Sequence, residues 1–105
     1  MQTRKTVIIV VSAFLLLMVV AVIGGALNGR ELFNSKGCLN CHSFQGRGGS
    51  VGPDLTAVSK RRSTFWIMEQ IRAPRKHNPN SMMPEFDDLS IIDRFAVAEY
   101  LKSGA

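Results

Sequence analysis

All-α is the fold class this sequence predicts, arranged as one N-terminal transmembrane helix followed by a small domain of helices and loops. Three observations carry it. Residues 7–27 run for 21 positions without a charge. Beyond them apolar residues recur at helical spacing, and no segment alternates convincingly as a strand. Between the two lies Cys38-Leu39-Asn40-Cys41-His42, a C-x-x-C-H sequence. That is the attachment signature of haem c, and it asks a short chain to fold round one apolar disc.

The first element is the uncharged run. About 20 apolar residues at 1.5 Å rise cross a bilayer core of roughly 30 Å. A cleaved secretory signal is the competing reading, with Arg4 and Lys5 as its basic start and Gly24 and Ala26 small enough for a cleavage site. A signal core is typically about 7–15 residues, shorter than this run. The expectation is therefore an uncleaved signal anchor over 7–27. Arg4 and Lys5 hold residues 1–6 in the cytoplasm by the positive-inside rule, which leaves residues 28–105 outside.

Only Asn28 and Gly29 separate this segment from Arg30, where a second helical stretch begins. Two extended residues reach at most about 7 Å, whereas a roaming domain wants a long Gly/Ser/Pro-rich linker. Ala21 and Gly25 form a small-x-x-x-small pair, a spacing that lets membrane helices approach closely. The tether and the pair both suit a domain held beside another subunit.

The remaining elements follow in order. Residues 30–36 read as a helix with Leu32 and Phe33 inward, and Gly37 loosens the chain just before Cys38. The turn-rich stretch 45–53 (QGRGGSVGP) must be loop. Ser63 or Thr64 caps a short amphipathic helix carrying Trp66, Ile67, Met68, Gln70 and Ile71. Pro74 and Pro79 bound it and open a second loop that runs through Pro84. Ser90 caps the last helix, with Asp93 in its first turn and Ile92, Phe95, Ala96, Tyr100 and Leu101 as its apolar stripe.

Cys38 and Cys41 are the only thiols in the chain. Three positions apart, they can add to the two vinyl groups of one haem, and His42 can offer its imidazole to the iron. A zinc site would need more Cys and His than two of each, and no β-α-β pattern suggests a thioredoxin-like pair. At 105 residues the core is small, and small domains need a staple. The haem would be that staple.

Taken together, Cys38-x-x-Cys41-His42, Gly52-Pro53-Asp54-Leu55, a helical Trp66, Met83-Pro84-Glu85-Phe86 and a final helix with Ala98-Glu99-Tyr100-Leu101 resemble a small bacterial class I cytochrome c. The resemblance spans residues 29–105; the membrane helix lies outside it. It implies thioethers at Cys38 and Cys41, His42 as proximal ligand, and the Pro53 carbonyl accepting a hydrogen bond from that histidine. It also implies Met83, directly before Pro84, as the distal ligand. Met82 and His77 are its rivals, read as a packing methionine and a solvated loop residue. Trp66 either hydrogen-bonds a haem propionate or packs on the porphyrin. A c-type haem is attached outside the cytoplasmic membrane in bacteria, which again places the domain on the periplasmic side.

With His42 and Met83 both bound, no open position remains for a substrate, so the implied role is one-electron transfer rather than catalysis. No catalytic acid, base or nucleophile is read; Glu85, Asp87 and Asp88 look like loop and cap residues. Net charge is +5, and setting aside Arg4 and Lys5 leaves +3 on the domain. Lys60, Arg61, Arg62, Arg72, Arg75 and Lys76 form either a solvated face or a patch that steers an acidic partner or meets anionic lipid headgroups close to the anchor. Arg61 or Arg62 could face a propionate. Nucleic acid binding finds no support. The expected partners are subunits of a membrane redox complex, or other cytochromes and periplasmic donors or acceptors. The short tether favours a fixed subunit over the alternative, a membrane-anchored shuttle.

Overall fold

The computed structural model describes residues 2–104, and the side-chain surroundings of all of these but 22–27. It is mostly helical, as the sequence predicts. In chain order stand α1 (Gln2–Ser35), a 3-10 turn (Cys38–Asn40), β1 (Ser43–Phe44), β2 (Arg47–Gly48), α2 (Val58–Arg61), α3 (Thr64–Arg72), α4 (Pro74–His77) and α5 (Ile91–Ser103).

The 34 residues of α1 span about 51 Å at 1.5 Å each. That accounts for most of the 62 Å long axis. Its Gln2–Ala21 stretch has a mean hydropathy of 2.2 and touches nothing else in the chain closely enough to be buried. By length and composition it can cross a membrane. The expected break at Asn28 and Gly29 does not occur: the apolar segment and the first domain helix are one rod. Gly29 is no tether but a packing residue, because α5 crosses α1 there. A Cβ on Gly29 would collide with the Ala96 carbonyl and touch Tyr100. Of the Ala21/Gly25 pair, Ala21 is exposed, and Gly25 lies among the residues whose surroundings are not described.

Below that crossing sits the core. Phe33, Phe44 and Tyr100 form an aromatic triangle with ring centroids 5.3–5.7 Å apart, each at most 3% exposed. Edge-on and tilted rings at this spacing are favourable beyond their buried area. Val58, Ile67, Met68, Ile71, Leu89, Val97 and Leu101 extend the cluster.

Two sequence expectations are corrected. Strands do exist, as a minimal hairpin pairing Ser43 with Gly48 and Phe44 with Arg47. Its two-residue loop holds Gln45 at φ 53 and Gly46 at φ 79, the positive φ at both centres that a type I′ turn requires. The loop expected across 74–84 contains a helical turn, α4, with Pro74 at its start, where proline's missing N–H costs nothing. The caps stand where expected. Ser63 Oγ accepts from the Trp66 N–H, and Ser90 and Asp93 form a reciprocal capping box. On α5, Ala96, Val97, Ala98, Tyr100 and Leu101 are buried, whereas Ile92 is 62% exposed. Both α1 and α3 cover the middle of α5, which widens the buried arc and leaves its first turn outside.

Candidate functional site

Gly37 starts the site. At φ 76 it adopts a left-handed conformation that ends α1 and turns the chain into Cys38. The Cys41 and His42 N–H groups both donate to the Cys38 carbonyl, at 3.3 and 2.9 Å. One helical turn thus gathers both thiols and the imidazole. Cys38 is half-buried and Cys41 exposed, and neither forms a disulfide. Burial raises the pKa of the Cys38 thiol.

A following loop clamps the imidazole. Gly49 donates to the Leu39 and His42 carbonyls at 2.8 and 3.2 Å, and Gly52 donates to the Cys41 carbonyl at 2.7 Å. The Gly52 backbone then lies so close to the ring that a Cβ would stand 2.6 Å from His42 Cε1. The next residue completes the hold, with His42 Nδ1 donating to the Pro53 carbonyl at 2.8 Å. A ring fixed through Nδ1 presents Nε2 as its free ligand atom.

Met83 lies on the segment that follows α4. It is half-buried, while Met82 is 84% exposed. Met83 lines an apolar recess with Leu32, Cys38, Ile71, Phe86, Leu89 and Val97, and Lys36 at its edge. The recess therefore brings together the first attachment cysteine and the methionine that the sequence singles out. The segment carrying Met83 is fastened at three points. The Phe86 N–H donates to the Ile71 carbonyl at 3.0 Å, Arg75 pairs with Glu85 at 2.8 Å, and Lys36 pairs with Asp88 at 2.8 Å.

Trp66 does not line this recess. Its ring stacks on His77 at 4.3 Å, nearly parallel, and the Arg62 guanidinium lies 4.3 Å over it. His77, expected as a solvated loop residue, ends α4 and donates from Nδ1 to Gln70 Oε1 at 2.7 Å. Gln70 in turn donates from Nε2 to Met83 Sδ at 3.5 Å. Sequence reasoning placed Gln70 on the Ser63-capped helix but gave neither it nor Gly52 a role of its own at the site.

Ion pairing consumes much of the basic cluster. Glu69 accepts from Arg72 and Lys76; the hydrogen bonds from Arg72 come first in holding its pKa down, from 4.5 to about 2. Its contribution to stability is thus present at neutral pH and lost as pH falls from 4.5 towards 2. Asp54 is held low by hydrogen bonds from Thr56, and Asp88 by the one from Lys36. Arg61 donates to the Asp54 carbonyl at 3.2 Å.

The available donors are an oriented imidazole and two thiols on one turn, and a thioether that shares an apolar recess with the first thiol. That set fits haem c. Among the described residues no three His, Cys, Asp or Glu stand together to hold a bare metal ion.

Comparison with known proteins agrees with this chemistry. A family model described as Cytochrome c matches residues 26–105. Among curated proteins, cytochrome c oxidase subunit 2 of Alkalihalophilus pseudofirmus is 30% identical over 86 residues, covering 74% of this chain. The match covers 25% of that protein, so this chain spans about a quarter of its length. No solved structure gives a significant match.

Proposed function

The chain belongs to the cytochrome c family, and on that premise we propose that it is a membrane-anchored one-electron carrier with a His/Met-ligated haem c. The family's domain supports haem-based electron transfer. What carries the finer reading is the recess shared by Cys38 and Met83, together with the orientation of His42 by Pro53. When bound, haem c supplies a ferric/ferrous couple.

The residues divide the remaining work. Cys38 and Cys41 would hold the disc covalently, each adding its S–H across one vinyl group. His42 offers Nε2, its tautomer set by the Nδ1–H bond to Pro53. Met83 offers a weak, soft sulfur, which favours the ferrous state and raises the potential relative to a second histidine. The Leu32, Ile71, Phe86, Leu89 and Val97 walls keep water away and act in the same direction. If His42 and Met83 both serve as ligands, no open position would remain for a substrate, and the role left to the protein would be to carry electrons.

The domain works as a fixed subunit of a respiratory complex in the cytoplasmic membrane, N-terminus inside and haem domain outside. Two observations support this. The relative is named as an oxidase subunit, and α1 runs unbroken from its apolar stretch into the domain core. The alternative, a shuttle moving laterally between complexes, uses the same site.

Met83→Ala and Met82→Ala test the ligand assignment. Met83→Ala is expected to keep its covalent haem, lower the potential and admit carbon monoxide to the iron. Met82→Ala is expected to do none of the last two. Carbon monoxide binding to Met82→Ala but not Met83→Ala would move the ligand by one residue.

A further inference from the structure

Helix α5 is apolar on two sides, and the core covers only one of them. Val97 and Leu101 are buried in the core, and Val97 lines the recess with Leu32 and Lys36. Ala96 and Tyr100 rest on Gly29 of α1. At 3.6 residues per turn, Ile92, Phe95, Glu99 and Lys102 share the side opposite Val97 and Leu101. On that side Ile92 is 62% exposed, its neighbour Ile91 is 68% exposed, and Phe95 is half-buried. None of these three lines the recess, so they stand outside the site already described.

The direction in which that side faces follows from α1. Leu32 and Lys36 lie beyond Gly29, away from the apolar stretch, and Val97 packs towards them. The opposite side of α5 therefore looks back along α1 towards that stretch. The uncharged run ends at Leu27, two residues before Gly29, or about 3 Å at 1.5 Å per residue. Polar headgroups fill about 5–7 Å between hydrocarbon and water. A helix is about 10–12 Å wide with its side chains, so one seated on Gly29 reaches the level of Leu27 with its near side. Because α1 is unbroken from Gln2 to Ser35, no linker lifts the domain clear. Apolar side chains at that depth meet the boundary between headgroups and acyl chains, where amphipathic helices settle. Lys102, at the far end of the same side, can keep its charged tip among the headgroups.

We propose that α5 is a second membrane contact: Ile91, Ile92 and Phe95 seat its N-terminal half in the lipid surface around α1. This rests on the reading of α1 as a membrane span. The occupant of the face is lipid, and the contact is apolar, so it does not depend on headgroup charge. A single span leaves the domain free to tilt with the rod. A second contact beside it holds the recess at one angle to the bilayer.

Spin labels on the full-length haem-loaded protein, reconstituted into phosphatidylcholine vesicles, test it. Cys38 and Cys41 are the only cysteines, so with both on the haem an introduced cysteine is the one free thiol. Ile92→Cys carries the label, with Ile91→Cys as a second site. Asn80→Cys, in the exposed stretch after α4, is the water reference. Phe14→Cys, in the middle of the apolar stretch, is the lipid reference. A nickel chelate relaxes labels in water, and dissolved oxygen relaxes those in lipid more strongly. Labels at 91 and 92 are expected to lose most of the nickel access seen at 80 and to gain oxygen access towards that seen at 14. Nickel access at 91 and 92 equal to that at 80 overturns the proposal. So does shielding that appears in native membranes but not in the vesicles, because a neighbouring protein would then cover the face. The Phe14→Cys label separates the two levels. If it is shielded while those at 91 and 92 are not, only the role of α5 fails. If it stays open to the chelate, the membrane-span reading fails and takes this inference with it.

Discussion

At His42 a single imidazole is held on two sides by backbone: the Pro53 carbonyl on Nδ1 and the Gly52 chain against the ring edge and face. A glycine is required there by space rather than by φ. Gly52→Ala would press a methyl carbon to 2.6 Å from Cε1, so either the ring or the 49–53 loop must move. The expected cost is about 1–3 kcal/mol, typical of overpacking a filled site, measured as a lower midpoint of thermal unfolding. The ferric spectrum should shift with it, because the displaced ring is the proposed proximal ligand. A variant with unchanged midpoint and spectrum would show that the clamp is loose. Pro53 was legible in the sequence only through the resemblance that its motif carries. Gly52 needed the contact distance.

Among the elements, local signals were the readable ones. Ser63 and Ser90 announced their helices because a cap needs only three residues of sequence, and Cys38, Cys41 and His42 announced the site for the same reason. What stayed hidden depends on distant partners. The hairpin has four strand residues, too few for an alternation to register, and a glutamine sits at one left-handed position. Gly29 reads as a linker until Ala96 and Tyr100 are seen against it. The apparent tether thus becomes part of α1, and the consequence is mechanical: the domain moves with the apolar rod. Inserting about 15 Gly/Ser residues after Asn28 breaks the rod and gives an r.m.s. span of roughly 20 Å, while residues 29–35 keep their place against α5. On the fixed-subunit proposal, electron-transfer turnover in native membranes is expected to collapse, because the haem would leave its docking position. Unchanged or faster turnover would instead identify a lateral shuttle.

For the molecule as a whole, one apolar helix carries a small domain whose core is an aromatic triangle on one side and a recess on the other. The triangle of Phe33, Phe44 and Tyr100 ties α1, the hairpin and α5 together, so the first and last helices close the fold around the attachment turn. Of the basic cluster, read from sequence as a solvated face or a steering patch, Arg72, Arg75 and Lys76 pair within the chain with Glu69 and Glu85. Charge balance of this kind depends on which side chains meet, and spacing along the sequence does not give it. The central claim is that one electron passes through one haem fixed to Cys38 and Cys41. Redox titration of the full-length protein, paired with a haem stain of the denatured polypeptide, tests it most directly. The expected result is a single one-electron wave from a haem that stays on the chain through denaturation. Haem released on denaturation without reduction, or a chain with no redox wave, would contradict it.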